Sequence, residues 1–432
     1  MPSIGPFPPG VAPGLDPFQA FPAEALFAGI ALFAAIGALS FEEERPFSAA
    51  IAYVALGVAG AIAIEVFDIG WLSVADDAAL IQHIAELALI VALFGTGVVV
   101  ESPLRPLTWR VVASLIVVAM PLTIAAVAAF GTLAMGLSLG AAIALGAILA
   151  PTDPVLAGGI GIRGPQDRGD DRRGRGRFNL SGEAALNDSL ASPFALLAVF
   201  VATEPGAGWL GEWVLFDVVY SVIAAAAVGG IAGYGIGRLA IEMRDRHLLS
   251  PELDGFVVIG AVLVVFGAAE LIDAYGLLAV FAAGLGFRRY EFEHEYNQRI
   301  HQSAQVAQNF AELVVILVLG SLVTTDLLSE PGLAGWLLVP LLLCVIRPVA
   351  VLAATSLARS TMNRGERALV AWFGVKGVAA VYFVALPVEE KAIAGSEAQT
   401  VFWTTVAAVI ASILVHGATA DPLSRRLLDE PP

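Results

Sequence analysis

Lysine is almost missing from this chain: of 432 residues only Lys376 and Lys391 are lysines, and charged residues of every kind make up just 14%. A water-soluble domain carries roughly 25%, so water is excluded as the solvent for most of the surface. Cysteine is reduced to Cys344, inside an apolar run, which excludes a disulfide framework and a thiolate metal site. The net charge of −16, from 39 acids against 23 bases, leaves no basic footprint for nucleic acid. Residues 1–21 hold prolines and glycines but no Lys or Arg. Without a basic n-region they read as a short tail, not a signal peptide.

What the chain does have is apolar length. Hydrophobic residues reach 58%, with a mean hydropathy of +0.81. Runs of about 17–25 apolar residues, each enough to cross a ~30 Å hydrocarbon layer, recur from end to end. They predict thirteen helices near 24–40, 47–66, 78–100, 109–130, 134–160, 180–203, 213–240, 254–272, 274–287, 306–325, 333–358, 366–386 and 397–420.

The bases provide an independent check on that count. Alternate loops and the C-terminal tail hold twenty of the 23 bases, six of them between Arg163 and Arg177, whereas the opposite loops hold only Lys391. The positive-inside rule then places the N-terminus outside and the C-terminus in the cytoplasm of a multi-pass cell-membrane protein. The two bases left over, Arg347 and Lys376, fall inside apolar spans.

A charge at the bilayer centre costs a few kcal/mol, so each needs a partner or a task. The intramembrane set is Glu86, Asp153, Glu183, Asp188, Glu312, Arg347 and Lys376; Glu270 and Asp273 are close enough to a helix end to be interfacial. In the fifth span, Pro151 and Pro154 bracket Thr152-Asp153 after about a dozen apolar residues. Proline removes a backbone donor and blocks the preceding turn, so the helix is expected to open there. A helix interrupted in mid-membrane frees carbonyls and half-helix ends for ions.

In the sixth span Glu183 and Asn187 share one helix face at i,i+4, and Asp188 lies about 100° round. An amphipathic helix start would account for Glu183 but not for the deeper Asp188. Arg347 precedes Pro348 in the eleventh span; arginine does not deprotonate, so it requires a carboxylate or carbonyls. Lys376 stands between Gly374 and Gly377 in the twelfth, the place for a second broken helix. The fifth and twelfth spans occupy matching places in two six-helix halves and run in opposite directions, as in an inverted repeat.

These features resemble the monovalent cation:proton antiporter-1 family, the NhaP-type and eukaryotic sodium/proton exchangers. The residues that carry the resemblance are Thr152-Asp153-Pro154, the Glu183 to Asn187-Asp188 run, Arg347 and the Phe373–Val378 stretch, together with Phe310-Ala311-Glu312 and Leu414–Thr419. The family implies an all-α polytopic fold of two inverted six-helix repeats with two crossed, broken helices. The resulting organisation is a tail (1–23), a first repeat (24–203), a linking helix (213–240), a second repeat (254–420) and a cytoplasmic tail (421–432). The resemblance also implies a homodimer, with a dimerisation layer from helices 1–3 and 8–10 and an ion-transporting core from helices 4–6 and 11–13.

Carried over, Asp188 would bind both ion and proton, Asp153 and Thr152 would support it as cation ligands, and Asn187 would shape the site. Glu183 would pair with Arg347, while Lys376, Glu312 and Glu86 are supporting candidates. The chain departs from the family at Gly95-Thr96-Gly97, where an acidic residue is common, at Ala184, where serine is, and at Lys376, where arginine is. No cofactor is expected, since Na⁺ and H⁺ are the substrates.

A carboxylate in a dehydrated cavity is poor at staying charged and alone. Asp188 is thus expected to hold a proton or a cation but not both, which is enough to couple the two fluxes. With Glu183 neutralised by Arg347 and Asn187 unable to titrate, one charge remains per cycle, so exchange of Na⁺ or Li⁺ for H⁺ is expected to be electroneutral. A K⁺/H⁺ or electrogenic exchanger on the same fold is the alternative. A channel is distinguished by proton-coupled counterflow. An intramembrane enzyme needs paired catalytic aspartates or Asp-rich diphosphate motifs that bind Mg²⁺, and neither Asp153 nor Asp188 stands in such a context.

Overall fold

The computed structural model describes residues 49–66, 78–99, 106–153, 174–250, 253–291, 298–358, 362–390 and 392–428, with isolated helical positions between 26 and 37. Every regular element among the described residues is helical. The helices are α1 (Ala49–Val66), α2 (Ala78–Val99), α3 (Trp109–Ala134), α4 (Leu139–Leu149), α5 (Gly174–Ser189), α6 (Ser192–Thr203) and α7 (Leu210–Asp245). There follow α8 (Asp254–Glu270), α9 (Gly276–Glu291), α10 (Gln298–Ser321), α11 (Gly332–Leu357), α12 (Arg364–Trp372), α13 (Val378–Glu389) and α14 (Gly395–Leu428).

The expected second to thirteenth spans are thus all found; the first, and the Arg163–Arg173 part of the basic loop, lie outside the described residues apart from those isolated positions. Seven helices are long and apolar enough to cross a membrane by length and composition alone. The remaining spans fall short because they are broken or end in polar turns.

Boundaries differ from the sequence reading in a consistent way. Helix α5 begins at Gly174 rather than 180, α10 at Gln298 rather than 306, and α14 runs on through Pro422 to Leu428. Hydropathy marks the apolar stretch, whereas the hydrogen-bonded helix continues into polar turns that it does not register. The expected 134–160 helix starts only at Leu139. The intervening turn is opened by Gly136 at φ 71°, and Ser138 accepts the Ala141 amide as N-cap.

Helices in lipid gain little by hiding apolar surface from one another, so close packing at small residues holds them together. Gly57 of α1 meets Gly320 of α10, Gly97 of α2 meets Gly284 of α9, and Gly229 and Gly233 of α7 press on Ala279 and Ala283 of α9. A β-carbon on Gly97 would come within 2.6 Å of the Phe281 carbonyl and 2.9 Å of the Gly284 Cα. The Gly95-Thr96-Gly97 departure is therefore a packing seam.

The sixth span is broken briefly at residues 190–191, between α5 and α6; the fifth and twelfth are interrupted more fully. Helix α4 has 11 residues, about 16 Å at 1.5 Å per residue, or half the ~30 Å hydrocarbon layer. Residues 150–153 follow without helical structure, and Pro151 explains why no further turn forms. Helix α12 has 9 residues and α13 has 12, with the non-helical strand 373–377 between them. Because an even number of spans separates the two interruptions, they run antiparallel. The fold is that of two inverted halves whose broken helices cross.

Candidate ion-binding site

The two breaks bond directly to each other. The Asp153 amide donates to the Val375 carbonyl at 2.8 Å. In return, the Lys376 ammonium donates to the carbonyls of Ala150 and Pro151 at 3.0 and 2.9 Å. Those are the carbonyls that α4 leaves unbonded at its C-terminus, where the helix dipole favours a cation. Lys376 is 1% exposed, and its three donors suit a compact cluster of oxygens.

Helix α5 fits against this knot. Asn187 accepts the Thr152 amide with Oδ1 at 3.2 Å and donates Nδ2 to Thr152 Oγ1 at 2.8 Å. It thereby fixes the backbone turn next to Asp153. One residue on, Asp188 is fully buried, and neither of its carboxylate oxygens has a hydrogen-bond partner among the described residues. The charges acting most strongly on it are those of Asp153 and Lys376.

A turn earlier on α5, Glu183 pairs with Arg347 at 2.6 Å, both side chains nearly inaccessible. Arg347 reaches it across Gly374, where a β-carbon would come within 2.5 Å of the arginine Nε and 3.0 Å of its Cγ. Glycine at 374 is thus required by close approach. A π-helical turn, Leu342–Ile346, comes immediately before Arg347 and Pro348. Such turns re-aim the side chain that follows them.

The structure therefore gathers Thr152, Asp153, Glu183, Asn187, Asp188, Arg347 and Lys376 from two helices and two breaks into one buried cluster. Glu86 and Glu312 belong instead to α2 and α10, half-buried on two helices that pack against each other. Ala184 is buried beside the pair with no polar atom to offer. Two residues with a part in the cluster were given no role by sequence reasoning. Ser412 of α14 accepts the Lys376 amide at 2.8 Å, and His416 Nδ1 lies 2.9 Å from Ser412 Oγ. Their i,i+4 spacing as the polar residues of the otherwise apolar stretch 406–417 was the available signal.

Chemically, the cluster offers one uncommitted acid. Glu183 is neutralised by Arg347 and Lys376 is committed to carbonyls, while Asp188 can take up a proton or a small cation without breaking a protein contact.

Residues 25–426 match the family described as sodium/hydrogen exchanger, transmembrane. The chain belongs to this family. Within it, the chain is 30% identical over 298 residues to a Schizosaccharomyces pombe protein described as a probable Na⁺/H⁺ antiporter, a match covering 63% of this chain and 39% of the relative. It is 29% identical over 248 residues to Na⁺/H⁺ antiporter 2 of Zygosaccharomyces rouxii, covering 55% and 30%. It is also 25% identical over 291 residues to the K⁺/H⁺ antiporter NhaP of Alkalimonas amylolytica, covering 66% and 47%. The chain spans less than half the length of each of these relatives. In three dimensions it resembles the sodium proton antiporter MjNhaP1 of Methanocaldococcus jannaschii, with a TM-score of 0.73 over 95% of this chain and 99% of that one, at 17% identity. A likeness at that identity establishes the fold; the family, with seven helices long and apolar enough to cross a membrane, makes this a multi-pass membrane protein.

Proposed function

We propose that this exchanger catalyses secondary active antiport of Na⁺, and of Li⁺ as a second cation, against H⁺, through competition for Asp188. The observation that carries the proposal is the isolation of that carboxylate: fully buried, with both oxygens unpartnered by any described residue. A lone buried carboxylate is costly unless it is protonated or bound to a cation. The site is thus neutral in either loaded state and unfavourable in neither-bound form, which penalises slippage. Thr152 and Asp153 stand at the break as further oxygen ligands, with Asn187 holding their turn in place.

The stoichiometry follows from the count of acids that can exchange. Glu183 has its counter-charge in Arg347, and Asn187 carries no proton. With Asp153, which has a partner of its own, kept as a fixed ligand, one cation per proton and electroneutral exchange is the reading this supports. No cofactor is needed, since the cation and proton are themselves the cargo.

The chain is placed in the cell membrane with its N-terminus outside and C-terminus in the cytoplasm, on the strength of the arginine distribution. It is proposed to act as a homodimer, with the first to third and eighth to tenth spans as the dimerisation layer and the fourth to sixth and eleventh to thirteenth spans as the moving core. In support, α1 packs on α10 and α2 on α9 and α10, whereas α4 packs on α3 and α6. Helix α7 presents a largely exposed apolar face, including Leu215, Phe216, Ile223 and Ile231, for lipid or a second protomer.

The test is reconstitution in liposomes with a proton-sensitive dye and stepwise addition of Na⁺, Li⁺ and K⁺. Wild-type protein should move protons on addition of Na⁺ and Li⁺, and Asp188→Asn should not. A response to K⁺ alone would establish the K⁺/H⁺ alternative, in line with the Alkalimonas relative. Full Na⁺-driven flux in Asp188→Asn would overturn the site.

A further inference from the structure

The role of Lys376 depends on where its ammonium is held, and the contacts of α14 bear on that. Ser412 Oγ accepts the Lys376 backbone amide at 2.8 Å and also lies 2.9 Å from His416 Nδ1. A hydroxyl that accepts an amide still has its own proton to place; His416 Nδ1, which also lies 3.0 Å from the Ser412 carbonyl, accepts that proton in the tautomer with the ring hydrogen on Nε2. The His416 ring packs edge-on against Trp372, with centroids 5.7 Å apart, and lies 6.1 Å from that of Phe373. Those are the last residue of α12 and the first of the broken strand. One turn further along α14, Thr419 Oγ1 accepts the Trp372 indole N–H at 3.1 Å. Ser412 and His416 are 0% and 1% exposed. No part of this contact chain reaches Asp188 itself.

We infer that His416, through Ser412, is a positioning residue that keeps the Lys376 ammonium on the α4 carbonyls and away from Asp188. The alternative position is a real competitor, because Asp188 is a buried carboxylate with neither oxygen hydrogen-bonded by a described residue, and an ammonium is drawn to such an acceptor. The segment 373–377 is bonded to its own helices only at its ends, through the Phe373 and Gly374 amides and the Gly377 carbonyl, so the register of its middle comes from Val375 on the Asp153 amide and Ser412 on the Lys376 amide. If the Ser412 anchor loosens, Lys376 slides toward Asp188 and competes with the incoming cation. His416 fixes the direction of the Ser412 hydroxyl, which keeps the hydroxyl oxygen turned to the Lys376 amide.

This inference rests on the antiport reading, and one set of assays separates the two. Wild type, His416→Leu, His416→Asn and Ser412→Ala are reconstituted, and Na⁺-driven proton flux is measured against Na⁺ concentration. His416→Leu and Ser412→Ala should raise the apparent KM for Na⁺ about fivefold, the ratio expected for one lost buried hydrogen bond, with the maximal rate little changed. His416→Asn places an amide near the Nδ1 position and should restore the wild-type KM. Should His416→Leu fail to fold, Ser412→Ala carries the same comparison. An unchanged KM in Ser412→Ala overturns the inference. So does a raised KM that Asn fails to rescue, since packing on Trp372 and Phe373 would then be the cause. No exchange by the wild type would instead remove the antiport reading beneath it.

Discussion

Arg347→Ala removes a guanidinium that is 2% exposed and 2.6 Å from Glu183. The glutamate left behind is 1% exposed, and its Oε2 already has no partner among the described residues. Breaking one side of a buried pair costs roughly 3–5 kcal/mol, most of it the penalty for the stranded charge. Lys376 is close enough to act on Glu183 and offsets a part, which puts the expected loss at the lower end, about 3 kcal/mol. Asp188→Asn works in the opposite sense. It removes a buried charge that no donor pairs, at nearly constant shape, and should stay within about 1 kcal/mol of wild type. The double variant Glu183→Gln with Arg347→Met strands nothing and should recover much of the loss. The assay is thermal unfolding of the purified protein in detergent, followed by tryptophan fluorescence. Asp188→Asn should melt close to wild type, the double variant next, and Arg347→Ala lowest. Equal melting temperatures for Arg347→Ala and Asp188→Asn would refute the reasoning.

Gly374→Ala should destabilise the protein by about 1–3 kcal/mol as an overpacked site, because the new methyl would lie 2.5 Å from Arg347 Nε; an unchanged melting temperature would show that the arginine has room to move. An imposed membrane potential, with no proton gradient, should drive no net Na⁺ uptake by wild-type protein in liposomes. An electrogenic exchanger would respond with about 2.3 kcal/mol per net charge per 100 mV, so potential-driven uptake contradicts the one-to-one stoichiometry.

Much of the fold was legible because lipid imposes simple rules. Apolar runs of bilayer length gave the spans, and arginine alternation confirmed their number. Pro151 and Pro154 announced the first break, and glycines at 374 and 377 the second. The Glu183–Arg347 pair came from the family resemblance, since the residues alone required only that Arg347 find a carboxylate or carbonyls. Less legible was how the breaks engage. That Lys376 would bond the Ala150 and Pro151 carbonyls is a tertiary fact, and its sequence neighbours do not encode it. Ser412 was hidden for a related reason. In membrane helices a hydroxyl usually bonds the carbonyl one turn back, as Thr123, Thr355 and Thr405 do with Ala119, Val351 and Val401. Only the neighbouring broken strand distinguishes Ser412 from these. Glu86 and Glu312 show the reverse: as charges in apolar spans they stood out, yet they are only half-buried, on α2 and α10. Charge in a span signals a constraint without saying where its partner is.

The central claim is that proton and cation exclude each other on one carboxylate. Its most direct test is proton release on binding. Purified wild-type protein in weakly buffered detergent solution is titrated with Na⁺ across a pH series, and the protons released per Na⁺ bound are counted. The account predicts release rising toward one proton per Na⁺ as the solution is made more acidic, and none from Asp188→Asn. Sodium binding with no proton release at any pH, or equal release from Asp188→Asn, would contradict it.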